Sequence, residues 1–364
     1  MNADFSLMFA QPILDQHRIL LEIHREIEAR YKADFKYSTL CQAQHQRLFK
    51  FFEPTLSGKV TPEMFCDIVA KDANASPQQV AETMKIALIG HIYNLAKGLQ
   101  TLIAYPHVVG KGILQFLNGA IPALESGNLL CAFLCFRACL EQTSQNHTLI
   151  GKIESLSDPA SCSKDDIEIF LYELRQASAK FAFATRFDWT GILSADDVRK
   201  QLSSGKFSYV PGEGMSDLTA KSCLGAVDRL SKVIPEVRGV YEMLCEFSHP
   251  NVGVHLALIQ DTKLLSDKQG LHWVEKTISV EPPAPFIADT AAVLELILDT
   301  VNRALKLHLQ NVDRMERQIA RARKIAQVRF RQEFEIGREL FDLYAPCPCL
   351  SGSKIKFCCG RKKA

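Results

Sequence analysis

The sequence predicts a mainly α-helical protein with one small β-hairpin, a long basic C-terminal helix and a terminal cysteine knuckle. Three observations carry this. Apolar residues recur at the 3.6-residue helical period, as at Ile13, His17, Leu20, Leu21, His24 and Ile27 within Gln11–Tyr31. Ser76-Pro77-Gln78-Gln79 has the chemistry of a helix start: a hydroxyl cap, proline in the first turn and glutamine three residues after the cap. Alternating apolar and polar residues mark Gly253–Gln260 and again His272–Val280, with turn-forming residues across Thr262–Gly270 between them.

The elements follow in chain order. The helix opening at Ser76 is expected to run to about Tyr105. The uncharged runs Gly98–Gly110 and Gly112–Leu124 are thirteen residues each. A membrane span needs about 20, so both are read as buried helix. Glycine, proline and serine place loops at Glu53–Thr61, Tyr105–Gly112, Leu156–Lys164 and Ser203–Ser216. Asn128–Gln145 is apolar nearly all round and is expected to be a buried helix. Another helix ends at Tyr241–Asn251, where Pro250 stops it. After the proline-rich Glu281–Pro285 a long helical pattern extends towards Leu343, with a break expected near Gly337. Val312, Met315, Ile319, Ala322 and Ala326 line one side of it. About 50 residues of helix would span about 75 Å. Such a helix either folds back on the body or projects and pairs with a second copy of the chain.

At 364 residues, 47% hydrophobic and 23% charged, the chain has an ordinary globular composition. Its first residues lack the basic and apolar stretches of a secretory signal. Eight of the twelve cysteines are scattered without framework spacing, which fits a reducing cytoplasm better than a disulfide scaffold. The net charge of +2 hides an asymmetry: from Arg314 to Ala364 there are thirteen Lys/Arg and five Asp/Glu, a net +8, leaving the rest at −6. A basic arm on an acidic body suggests a polyanionic partner, although the same charges also suit a solvated helix face.

Four cysteines close the chain as Cys347-Pro348-Cys349 and Cys358-Cys359, separated by eight residues. Two close thiolate pairs can wrap one Zn²⁺ at roughly 2.3 Å from each sulfur. Lys354, Lys356, Arg361, Lys362 and Lys363 offset the double negative charge of a ZnS₄ centre and favour thiolates. Gly352 allows a tight turn between the pairs. A segment this short buries no core of its own, so metal binding must drive its folding. Four sulfurs close the coordination sphere and leave no open position for catalysis.

This tail resembles the SEC-C motif, named after the C-terminal zinc module of the preprotein translocase ATPase SecA. The resemblance covers about 344–361: the C-x-C pair, the spacer, the double cysteine, Ser351-Gly352 and Gly360. Leu350 stands where the family usually has Gly, and Ser353 and Phe357 where it often has Lys. The resemblance implies Zn²⁺ on Cys347, Cys349, Cys358 and Cys359 and an adaptor role, docking to proteins or ribosomal surfaces.

In the body, Arg137 and Glu141 interrupt an apolar helix one turn apart, where they can pair. His249 lies at a helix C-terminus beside Pro250, where the dipole favours an imidazolium. Arg137, Glu141, Tyr241 and His249 are therefore expected to meet in one polar cluster, read either as a network orienting two core helices or as a site. An Arg-x-x-x-Glu helix facing a His-Pro helix end resembles the helical bodies of some uncharacterised bacterial proteins, including HEPN-like ones. The Arg-to-His spacings Arg18–His24 and Arg303–His308 are taken as coincidence. Cys131, Cys135 and Cys139 share one helix face and are read as core, since a rigid helix cannot fold three such thiols round one metal. Glu246 and His249 have a di-iron half-site spacing but no second copy. Nucleotide-loop, nucleophile-elbow and zinc-protease signatures are absent from the sequence.

The expected organisation is a helical body over 1–283 with a hairpin near 252–281, a long basic helix over 284–343 and a zinc module over 344–364. The leading functional expectation is a cytoplasmic zinc-binding adaptor whose basic C-terminal arm docks a protein, ribosome or nucleic-acid partner. The alternative is a helical nuclease or toxin-type effector, with phage defence as its setting, using His249 as acid/base and Arg137 against phosphate.

Overall fold

The computed structural model describes residues 10–35, 76–159, 163–182, 199, 223–248, 259–266, 272–278, 291–336 and 342–361. The helices are α1 (Gln11–Tyr31), α2 (Pro77–Glu125), α3 (Leu129–Glu154), α4 (Lys164–Ala182), α5 (Leu224–Leu230), α6 (Val237–Glu246) and α7 (Ala291–Ile336). Strands β1 (Ile259–Ser266) and β2 (His272–Ile278) form an antiparallel pair. The mainly α class with one hairpin is therefore as expected. No helix among the described residues is long and apolar enough to cross a membrane.

Two compact units share the chain. One comprises Met1–Phe35, Pro106–Ile150 and Ser222–Arg314; the other comprises Lys36–Tyr105, Gly151–Lys221 and Met315–Ala364. In the first, α1 buries Ile13, His17, Leu20, Ile23, Ile27 and Tyr31. Leu21 and His24, expected on that stripe, are half-buried, and Ile23 takes the inner position. Lys111 of α2 donates to the carbonyls of Tyr31 (2.7 Å) and Ala33 (2.8 Å), satisfying acceptors that the end of α1 leaves open. Gly110 is required beside it, because a Cβ there would lie 2.2 Å from the Tyr31 ring.

The loop expected at Tyr105–Gly112 is helix instead. Helix α2 passes through Pro106 and ends only at Glu125. Proline removes one backbone donor and disfavours helix in the preceding residue. Here burial wins: Ala104, Tyr105, Val109, Ile113 and Leu114 are all buried. The helix stops where glycine permits it. Gly127 has φ 76°, and the Asn128 N–H reaches back to the Ala123 carbonyl at 2.8 Å. Asn128 then caps α3, its Oδ1 accepting from the Cys131 N–H at 3.2 Å.

Helix α3 is not enclosed all round as expected. Leu134 is 48% exposed and Cys131 and Cys135 are half-buried, while Phe133, Phe136, Cys139 and Leu140 face the core. Of the three cysteines read as core, only Cys139 is fully so. The hairpin also differs in detail. Residues 262–266, expected in the turn, belong to β1, with Leu264 opposite Val274 and Ser266 opposite His272. Residues 253–258, expected in the first strand, lie outside the described residues, as do Glu53–Thr61 and Ser203–Ser216.

In the second unit, α4 is capped by Ser163, whose Oγ accepts from the Asp166 N–H at 3.2 Å. Asp165 and Asp166 in its first turn complement the helix dipole. The C-terminal part of α7 buries Met315, Ala322, Ala326, Phe330 and Phe334. That stripe thus folds against the chain rather than projecting. Several of its basic residues are not a solvated face. Arg321 donates to Asp158 at 2.6 Å and to the Leu156 carbonyl at 2.6 Å. Arg329 is buried, paired with Glu333 one turn on and 3.6 Å from Glu168 of α4.

Candidate metal centre

The tail from Asp342 to Arg361 builds a site from backbone turns. Pro346 and Lys354 bridge antiparallel, and the Cys347 N–H donates to the Ser353 carbonyl at 2.9 Å. The chain reverses between the two cysteine pairs through two left-handed residues, Leu350 at φ 57° and Gly352 at φ 78°. Glycine suits the second at little cost, whereas leucine is strained at the first. A single 3₁₀ turn, Ile355–Phe357, then delivers Cys358 and Cys359. Its buried Ile355 underlies Gly360, where a Cβ would come within 2.6 Å of the isoleucine Cγ2.

These turns bring all four Sγ atoms within 4.8 Å of one another. Cys349 Sγ lies 3.4 Å from Cys347 Sγ and 3.4 Å from Cys358 Sγ, and Cys358 Sγ lies 3.9 Å from Cys359 Sγ. Four sulfurs at roughly 2.3 Å from a common tetrahedral centre would lie about 3.8 Å apart. The donor set therefore fits a metal ion and is in keeping with zinc. Cys347, Cys349 and Cys359 are buried and Cys358 is half-buried.

Cys347, Cys349 and Cys359 perturb one another's ionisation. The Cys349 thiol is pushed far down, chiefly by its hydrogen-bond contact with Cys347. Cys347 is pushed up to about 12 by its hydrogen bond to Cys349. Cys359 is raised as well, first by its contacts with Cys347 and Cys349 and then by burial. Sulfurs this close resist ionising together, and a divalent cation at their centre removes that conflict. Zinc bound there would supply structural cross-linking, with no open position for a reacting water.

Two further side chains donate to the sulfurs. Ser351 Oγ lies 3.2 Å from Cys358 Sγ. Gln327 Nε2, from α7, lies 3.6 Å from Cys349 Sγ and 3.9 Å from Cys358 Sγ. Outer donors of this kind orient ligands and spread the thiolate charge. Ser351 sat inside the motif and could have been read as a donor. Gln327 carried no sequence signal, being one glutamine in a polar helix twenty-two residues from Cys349.

No protein-family model, no curated protein and no solved structure matches the chain. The assignment of this centre therefore rests on its geometry.

The body candidates are partly gathered. Arg137 Nε donates to Glu141 Oε1 at 3.1 Å, and Tyr241 Oη donates to the same oxygen at 2.8 Å. The guanidinium lies over the Tyr241 ring, 5.6 Å from its centre. Cys223 joins the group, its Sγ 3.1 Å from Tyr241 Oη. The Tyr241 hydroxyl is held well above its usual range, first by burial and then by its hydrogen bonds to Cys223 and Glu141. Arg137 and Glu141 remain about a quarter exposed, at 24% and 29%. His249, the fourth expected member, lies outside the described residues. Cys223 was not anticipated, because it reaches Tyr241 only once α5 and α6 pack.

Arg303 and His308 do not act together. Arg303 is half-exposed and pairs with Glu236 (3.0 Å) and Asp299 (3.4 Å). His308 is buried, with Nδ1 3.2 Å from Asn146 Nδ2. Arg18 is exposed on Asp15, while His24 meets Asn118 at 2.7 Å.

Proposed function

We propose that this chain is a zinc-binding adaptor of the SEC-C type, acting in the cytoplasm. Cys347, Cys349, Cys358 and Cys359 hold Zn²⁺, and the basic C-terminal knuckle docks a protein or ribonucleoprotein partner. The observation that carries the reading is the convergence of four sulfurs at the spacing one tetrahedral ion requires, within a segment too short to fold by burial. The surface beside it supports docking. Tyr344, Phe357, Lys354, Lys356 and Arg361 are all exposed.

The nuclease reading draws less support. Arg137 Nε is paired with Glu141 and the guanidinium lies over the Tyr241 ring, so the adjacent carboxylate opposes a phosphate there.

The test combines metal analysis with co-sedimentation. Purified protein is expected to carry one equivalent of zinc, lost in Cys349→Ser together with exchange protection over 342–361. Wild type is expected to co-sediment with ribosomes in lysate, and a chain truncated before Asp342 is not. Less than half an equivalent of zinc overturns the metal assignment. Unchanged sedimentation on truncation overturns the docking assignment.

A further inference from the structure

The knuckle leaves two aromatic rings open to solvent, Tyr344 at 56% and Phe357 at 64% exposure. Exposed apolar surface rimmed by polar groups marks an interaction site where it forms a contiguous patch. The two rings share their surroundings with cations. Lys356 Nζ lies 4.9 Å from the centre of the Tyr344 ring and 5.8 Å from that of Phe357, and Lys354 Nζ lies 5.4 Å from Tyr344. Lys356 also donates to Tyr344 Oη at 2.9 Å. Arg361 is exposed as well. Within 342–361 the only acidic side chain is Asp342, which accepts from the Tyr344 N–H at 2.9 Å. Neither lysine pairs with a carboxylate among the described residues.

We propose that this face binds single-stranded RNA, with unpaired bases stacking on Phe357 and Tyr344 and phosphates meeting Lys354, Lys356 and Arg361. The inference rests on the docking reading above and names its partner. Two features decide the class. The cations select a polyanion, and charge alone would also suit an acidic peptide. The open rings select a partner with π faces of its own, which a single strand offers at every residue and a duplex hides in its stack. Phe357 is the main platform, because it is the more exposed ring and only Lys356 lies near it, whereas both lysines lie against Tyr344.

The test is fluorescence anisotropy of a labelled twelve-nucleotide oligo(U) RNA with the full-length zinc-loaded protein, at several salt concentrations. Phe357→Ala is expected to weaken binding about 10-fold, within the range for loss of one base stack, and Phe357→Trp to retain it. Lys354→Gln with Lys356→Gln is expected to lower the salt slope by about 1.4, at roughly 0.7 per lost phosphate contact on a single strand. An RNA duplex of the same length is expected to bind more weakly. Equal binding of the Phe357→Ala variant, of the duplex or of oligoglutamate overturns the proposal, as does absence of RNA binding. Zinc content and ribosome sedimentation of the same samples report on the metal and docking assignments separately. Loss of RNA binding with both retained therefore counts against this inference alone.

Discussion

Gln327 on α7 points its amide at Cys349, Nε2 to Sγ 3.6 Å, and so joins the long helix to the sulfur cluster. An amide that donates to a thiolate stabilises its negative charge and fixes its direction. Replacing it with the similar-sized Leu removes the donor without emptying the space. Gln327→Leu is expected to weaken zinc binding about 10-fold, at the low end for outer-shell losses. Competition with a chromophoric chelator measures this, and an affinity within twofold of wild type contradicts it.

Leu350 and Gly352 occupy the same backbone region with opposite suitability. A left-handed conformation costs an L-residue about 1–2 kcal/mol, partly offset by the greater freedom glycine has when unfolded. Leu350→Gly is therefore expected to stabilise the metal-bound tail by about 0.5–1 kcal/mol, and Gly352→Ala to destabilise it by a similar amount. The rate of zinc loss to excess chelator should fall in the first variant and rise in the second. Movement in the same direction for both would refute the backbone account.

Arg329 and Glu333 form a buried pair in the second unit, beside Glu168. Removing one partner strands a charge away from water, which costs about 3–5 kcal/mol. Arg329→Met should show that loss in urea unfolding. Arg329→Met combined with Glu333→Leu should recover most of it, since an apolar pair of similar volume avoids the desolvation penalty. A double variant as unstable as the single one argues against a charge effect.

His308 carries a pH prediction. Burial, and secondarily Arg30, lowers its pKa to about 4, so the folded protein holds it neutral. The unfolded chain protonates it near pH 6.5. The neutral ring's contribution is present above pH 6.5 and is lost as pH falls towards 4, to a limit of about 3 kcal/mol. His17 adds in the same direction, its pKa lowered by burial against the opposing influence of Glu125. His308→Gln should flatten the stability profile between pH 6.5 and 4 relative to wild type. Parallel profiles would show that the ring does not drive it.

Tyr241 holds Glu141 beside Arg137. Because the pair is about a quarter exposed, Tyr241→Phe is expected to cost only about 1 kcal/mol in thermal unfolding. Under the adaptor reading, neither Tyr241→Phe nor Arg137→Ala changes the integrity of RNA incubated with the protein. Cleavage by wild type that either substitution abolishes would restore the nuclease reading.

The parts legible in the sequence were those whose chemistry is local. The helix expected from Asn128 opens there, capped by that side chain. The paired cysteines need no distant residue to declare metal affinity, and Arg137 and Glu141 find each other one helical turn apart. Pro106 misled for the same reason. Its local signal is a break, and the burial of Tyr105, Val109 and Ile113 that overrides it comes from residues far along the chain.

By itself the sequence determined the helical class, the hairpin's existence and the four-sulfur donor set, since each follows from periodicity or spacing within one segment. Tertiary packing decided that α2 runs unbroken to Glu125, that Arg329 is buried rather than solvated, and that Gln327 and Cys223 join their clusters. The physical reason is that burial and hydrogen-bond partnership depend on which surfaces meet, and a residue's neighbours along the chain do not specify that.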